Sequence, residues 1–246
     1  MTTADRWTQA VRHQLGLGRL LPLGTAGDGA WIAERAAEAV LRRAAEDMRG
    51  VRLDALRIGL ADPEDTYEAA VPPPPSAVPP GPLRVTADFA ATAAEALPVT
   101  ADRLRALLAT AATDLLGLTV ADVDLRVTAL LGEDAEPEPE ARPAPVRQPE
   151  PAPAAEPGNP DEERIAAVAL AVPGVTRLTG TLGGASRAVH IEKRQDGAAL
   201  PHRHVRVELA VSADHRAVEV AREVRKRVRN ALVDHPTVAV LVTAVS

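Results

Sequence analysis

The sequence predicts an α+β protein in which small sheets are covered by helices and repeated helix-strand units are joined by Pro-rich linkers. Three observations carry this. Apolar residues recur at helical spacing in three separate stretches. Each stretch runs into an alternating or Val-rich segment of strand character. Two Pro-rich tracts, "EAAVPPPPSAVPPGP" (Glu68–Pro82) and the Glu-interleaved residues 132–161, divide them. Pro removes backbone donors and favours extended geometry, and the interleaved acids keep the chain solvated, so both tracts are expected to be disordered spacers outside any core. The expected organisation is a helix-strand unit at 1–67, a linker at 68–82 and a second unit at 83–131. An acidic linker at 132–161 and a fuller α+β domain at 162–246 follow.

In the first unit, Ala37, Val40, Leu41, Ala44 and Met48 share one side of a helix over Ala33–Met48. Gly50 ends it, and "VRLDALRIGL" follows as a strand. "DRWTQAVRHQLG" and "GRLLPLG" precede that helix. In the second unit a helix is predicted over Thr100–Leu116, with Thr100 as N-cap and Asp102 in the first turn. Gly117 stops it before the strand "LTVADVDLRVTALL". The two segments align without a gap at an offset of 67, Leu107 falling on Val40. The shared Gly and the shared irregular run, Leu53, Leu56, Ile58 and Leu60 against Val120, Val123, Leu125 and Val127, mark an internal repeat.

The third unit reads α-β-β-β-α-β. The helix "EERIAAVALAVPG" ends at Pro173-Gly174, and three strands follow: "VTRLTGTL", "SRAVHIEKR" and "HVRVELAVS". The last places Val205, Val207, Leu209 and Val211 on one face and His204, Arg206 and Glu208 on the other. A helix over His215–Asp234 and the strand "TVAVLVTAVS" complete it.

Composition narrows the functional classes. A net charge of −6 argues against nucleic-acid binding driven by the whole molecule. Two Trp, one Tyr and one Phe give little for stacking on bases. No Cys is present, which removes disulfides, thiolate metal sites and Cys nucleophiles and suits a reducing cytoplasm. No run reaches the roughly 20 apolar residues of a spanning helix, and the start, with Asp5 and no apolar stretch, does not read as a signal peptide. A cytoplasmic protein is expected, at most peripheral at the inner face of the membrane through a partner.

No motif carries chemistry. "HRH" at His202–His204, with His190 and His215 elsewhere, falls short of three converging ligands and reads as a solvent-facing pair. "GTLGGAS" (Gly180–Ser186) opens no helix and reads as a hairpin connection. "GLGRLLPLGTAGDG" lacks the Lys-Ser/Thr of a phosphate loop, no Ser sits in a nucleophile elbow, and the carboxylates cluster in the linkers. A non-enzymatic protein without cofactor or metal is expected.

One surface feature stands out. In "VAREVRKRVRNALVDHP", Ala217, Val220, Ala221, Val224, Val228, Ala231 and Leu232 form the apolar face of the last helix. Arg222, Arg225, Lys226 and Arg229 form a stripe on one flank, bordered by Glu219 and Glu223. A solvated flank is the plainer reading. The sharper one is a contact strip for an acidic partner, anionic lipid or nucleic acid, with the chain's own Glu-rich residues 133–163 as an internal candidate.

"IAAVALAVPGV" (Ile165–Val175), the alternating strand, "AVEVAREVRKRVRNAL" (Ala217–Leu232) and the closing Val238–Val245 together resemble the alkaline shock protein family of Gram-positive bacteria. That family usually turns from helix to strand with an apolar-x-Gly-apolar run. Asp234-His235-Pro236 replaces it here, while Met48–Val51 and Leu115–Leu118 match it. The layout of the whole chain also resembles actinobacterial proteins labelled as nucleopolyhedrovirus p-ten family. The resemblance implies a non-catalytic, self-associating protein held at the membrane by a protein partner and linked to envelope stress. The alternative expectation is a binding module for nucleic acid or anionic membrane using the Arg222–Arg229 stripe.

Overall fold

Strand pairing sorts the chain into two sheets. The computed structural model describes residues 18–132, 154–181, 187–194 and 202–246. The first sheet holds β1 (Leu20–Pro22), β2 (Ala30–Ala33), β9 (Thr237–Val245), β8 (His202–Val211) and β6 (Val175–Leu178) in that order, with β7 (Val189–Arg194) also paired to β8. The second is β3 (Val51–Leu60), β4 (Leu83–Thr92) and β5 (Val120–Leu131). Helices α1 (Glu34–Glu46), α2 (Leu97–Thr110), α3 (Pro160–Leu170) and α4 (Ala217–Ala231) pack against them, and one core joins the two halves. This is the expected α+β class. The sheets, however, do not divide where the sequence units do. β1 and β2 join the C-terminal strands, β2 lying parallel to β9, whereas β3 joins the second unit.

The second sheet shows what the repeat means. β3 runs antiparallel and β5 parallel to β4, so the two copies flank one strand from opposite directions. Val85 lies between Ile58 and Val123, and Ala87 between Leu56 and Leu125. Register shifts between Leu53 and Leu56, where Val120 and Asp122 meet Leu83 and Arg84, and again where Val127 and Ala129 meet Phe89 and Ala90. The irregular apolar spacing common to both copies is thus a common β-bulge of one extra residue at the first two of these places.

The relation of the third unit to the second is clearer in three dimensions. β4 and α2 match β8 and α4 without a gap at an offset of 120, Val85 falling on Val205 and the helix-preceding Ala96 on Arg216. Both are βαβ crossovers between adjacent parallel strands. The buried positions of the three repeated helices coincide: Ala37, Leu104 and Val224, then Leu41, Leu108 and Val228. In the second copy the helix widens into a π-helical segment, Ala111–Leu116, closed by the bond from Gly117 N–H to the Ala112 carbonyl (3.1 Å).

Several local expectations change. α2 begins at Leu97 instead of Thr100, because Pro98 presets the first turn, and the Thr100 hydroxyl reaches Glu95 without capping the helix. α3 begins at Pro160. The Asn159 side chain accepts from the Glu162 N–H (2.9 Å) while Glu162 reaches back to the Gly158 N–H (2.7 Å). β6 and β7 do not form a hairpin; they lie end to end along the same edge of β8, though residues 182–186 between them fall outside the described residues. The Pro-rich tract 68–82, expected as a disordered spacer, connects β3 to β4, a strand the sequence reading did not assign, and it does not stay out of the core. Val71 is buried, the Ala70 N–H bonds the Ala26 carbonyl, and the Val78 N–H bonds the Leu20 carbonyl (2.8 Å). Such short runs between prolines keep enough donors to bind as a strap along β1. Most of 132–161, and the segment "DRWTQAVRHQLG", lie outside the described residues. Among the described residues no helix is long and apolar enough to cross a membrane.

Candidate interaction surface

The helix bearing the basic stripe is amphipathic as expected, with Val220, Ala221, Val224 and Val228 buried. Its flank faces the β1–β2 turn, which divides the stripe in two. Arg222 grips Asp28 through Nε (2.7 Å) and Nη2 (3.0 Å) and also holds Glu219 (2.8 Å). Arg225 donates to the Gly27 carbonyl. Asp28 accepts in addition from the Thr25 N–H (2.7 Å) and hydroxyl (2.9 Å), closing the turn on itself. Burial works against the Asp28 charge, yet the hydrogen bonds from Arg222 and Thr25 outweigh it and hold the pKa at about 2. The Arg222 pKa rises chiefly through its bond to Asp28, and that of Arg225 falls through burial. Half of the stripe is therefore a staple between the last helix and the first hairpin.

Lys226 and Arg229 point to solvent. Lys226 lies 3.9 Å from Glu223, a loose contact at that exposure. It rims an open groove between α3 and α4 floored by Val168, Ala171 and Ala231 and bordered by Arg227 and Asn230. Arg227 is tied back to Glu223 (2.7 Å) and to the Ala171 carbonyl (3.2 Å), which fixes the two helices across it. Leu170 stands exposed where α3 ends. The groove thus has an apolar floor and a cationic rim. Of the Glu-rich stretch proposed as an internal partner, two of the described acids are engaged elsewhere: Asp161 binds Arg203, and Glu162 binds Arg187 (3.5 Å).

The histidines do not converge. His204 is not solvent-facing; it is 5 % exposed, and its Nδ1 meets the Thr237 hydroxyl at 2.9 Å. Burial, reinforced by Arg194, pushes its pKa down to about 4. His190 lies on β7 against the Arg187 carbonyl, and His215 is exposed at the far end of β8. Among the described residues no three His, Cys, Asp or Glu side chains form a metal-binding group.

One cluster escaped the sequence reading. Glu208, fully buried, sits where β6 gives way to β7: its carbonyl accepts from the Thr179 N–H and its N–H donates to the Ala188 carbonyl (2.8 Å). Its Oε2 accepts from the Thr181 N–H (2.7 Å) and hydroxyl (3.0 Å), while Oε1 lies 3.6 Å from His190 and 3.8 Å from Arg206. A glutamate inside an otherwise apolar alternation was the available signal. Nor are the perturbed carboxylates confined to the linkers, since Glu34 beside Arg19 is lowered against the pull of burial and Glu38 is raised by burial. Of these, Glu34 forms an ion pair with Arg19 at 3.0 Å. No family model and no curated protein matches the chain.

Proposed function

We propose that this protein is a non-catalytic scaffold that works by protein contact, using the groove between α3 and α4 to hold a partner segment with apolar and acidic side chains. The supporting observation is that Lys226 remains at the surface beside an apolar floor, with Arg229 exposed further along the same helix, while Arg222 and Arg225 are tied to Asp28 and Gly27. The resemblance to alkaline shock proteins adds the setting: a partner held at the membrane, a place in the envelope stress response, and a cytoplasmic location at its inner face. Two exposed cations are a small footprint for phosphate tracks, which need many neutralising contacts, so nucleic acid and anionic lipid are the weaker reading.

The test uses Lys226→Ala/Arg229→Ala, which leaves the Arg222 staple in place. Cross-linking in cells should capture a partner with the native chain and lose it with the variant. Retention on heparin or anionic vesicles, abolished by the same double variant, would instead favour the lipid or nucleic-acid reading.

A further inference from the structure

Among the described residues β5 has no strand on its outer edge, which one side chain, Arg105, reaches, while the outer edges of β1 and β3 are covered. The Val78 strap bonds β1. On β3, the Ile58 carbonyl accepts from Arg19 (2.6 Å) and its N–H donates to Glu34 (3.4 Å). β5 pairs with β4 on one side only, and most of its residues are exposed, Leu130 at 63 %. Arg105 reaches the Val123 carbonyl at 3.2 Å, a bond that strand pairing would displace; it shows that Val123, and by alternation Leu125 and Val127, aim their backbone groups away from β4.

The side chains along this edge are complementary to their own reverse order. On one face β5 carries Asp122, Asp124 and Arg126, and on the other Val123, Leu125 and Val127. Setting Leu125 opposite Leu125 of an antiparallel second copy places each Asp124 opposite Arg126. Val123 then faces Val127. The neighbouring registers bring acid against acid: centring on Val123 opposes Asp122 to Asp124, and centring on Asp124 opposes it to itself. Opposite charges directly across an antiparallel pair stabilise it and like charges do the reverse, so one register is selected. Each partner is already braced, Asp124 by Arg84 (3.4 Å) and Arg126 by Asp88 (3.7 Å), which would extend the charge lattice across both copies.

We propose that two copies of this chain join through antiparallel pairing of β5 about Leu125, making one six-stranded sheet. The contact is separate from the α3–α4 groove, and the Lys226→Ala/Arg229→Ala variant should dimerise as the native chain does.

Sedimentation across the micromolar range tests it with complementary variants. Asp124→Lys and Arg126→Glu should each weaken dimerisation roughly tenfold or more, because each sets like charges opposite one another at two symmetric places. Their one-to-one mixture should recover it as a heterodimer, since the lysine introduced in one chain then meets the glutamate introduced in the other. In the native background, which lacks cysteine, Leu125→Cys should form a covalent dimer on mild oxidation and Asp122→Cys should not. Circular dichroism checks that each variant is folded. A native chain that stays monomeric throughout the range would overturn the proposal. So would folded variants whose mixture gains nothing, or equal cross-linking at both cysteine positions.

Discussion

Arg203 holds Asp234 with two donors, its Nε at 2.6 Å and its Nη2, and reaches Asp161 with the third nitrogen. The start of β8, the turn after α4 and the start of α3 thereby share one guanidinium. Both bonds raise the Arg203 pKa, and the Asp234 carboxyl is lowered chiefly by the same contact. This explains "DHP" where the other copies have glycine. His235 takes a positive φ of 45°, as Gly50 does at 73° and Gly117 at 87°, and the neighbouring acid is anchored from outside the turn. Arg203→Ala should therefore lower stability by about 1 kcal/mol, discounted for partial exposure. His235→Gly should raise it by about 0.5 kcal/mol through relief of the left-handed conformation. Urea unfolding measures both.

Gly117 is less replaceable than Gly50. A Cβ at Gly117 would stand 2.2 Å from Cγ1 of Val218 on α4, whereas at Gly50 it would meet the movable Thr92 hydroxyl at 2.7 Å. Gly50→Ala should cost about 1 kcal/mol and Gly117→Ala about 3 kcal/mol or more. Adding Val218→Ala to the latter should relieve only part of that loss, since it removes the Cγ1 contact but keeps a Cβ at 2.6 Å, whereas Val218→Gly removes both. A double-mutant cycle by thermal unfolding reads the coupling.

The Arg222–Asp28 staple should appear in acid. The Asp28 pKa is about 2 in the folded protein against an ordinary 3.8, so the unfolded chain takes up the proton first. Its contribution is complete above about pH 5 and is lost as pH falls through 3.8 towards 2. Arg222→Ala should cost about 1 kcal/mol at pH 7 and progressively less below about pH 4. Lys226→Ala and Arg229→Ala should change stability by under about 0.5 kcal/mol throughout.

His204 acts at milder pH. Its folded pKa of about 4 lies below the ordinary 6.5, so protonation again favours the unfolded chain. Stability is whole above about pH 7 and drains between 6.5 and 4, by on the order of 1–2 kcal/mol from pH 7 to 5. His190, lowered by burial and Arg206, adds to the same slope. His204→Asn, whose amide can replace Nδ1 toward Thr237, should flatten the dependence in chemical unfolding series at stepped pH.

The class, the repeat and the apolar face of α4 were legible because each rests on local periodicity. β3 runs over Val51–Leu60, as its alternation predicts. β4 is equally regular, with Leu83, Val85, Ala87 and Phe89 all buried, but it directly follows the Pro-rich tract, whose composition hides where order resumes. β2 is only "AWIA", too short to show any period. The stripe is plain as a pattern, yet which cations remain at the surface depends on Asp28 and Gly27, nearly the whole chain away. Alternation assigns Glu208 and His204 to the correct face, while the burial of that face depends on packing that no local pattern records.

The parallel pairing of Ala30 with Val240 has a consequence for the order in which the protein is made. A ribosome releases β1, β2 and α1 early, with Trp31 and Ile32 among the residues destined for full burial. Their seat against β9 does not exist until roughly 200 more residues have been synthesised, on the order of 10–40 s later at ordinary elongation rates. The second sheet, whose strands all lie within Val51–Leu131, has no such delay. The nascent chain thus carries an unpaired apolar hairpin through most of its synthesis, and cells short of a chaperone that shields it should lose this protein to aggregation first at that hairpin.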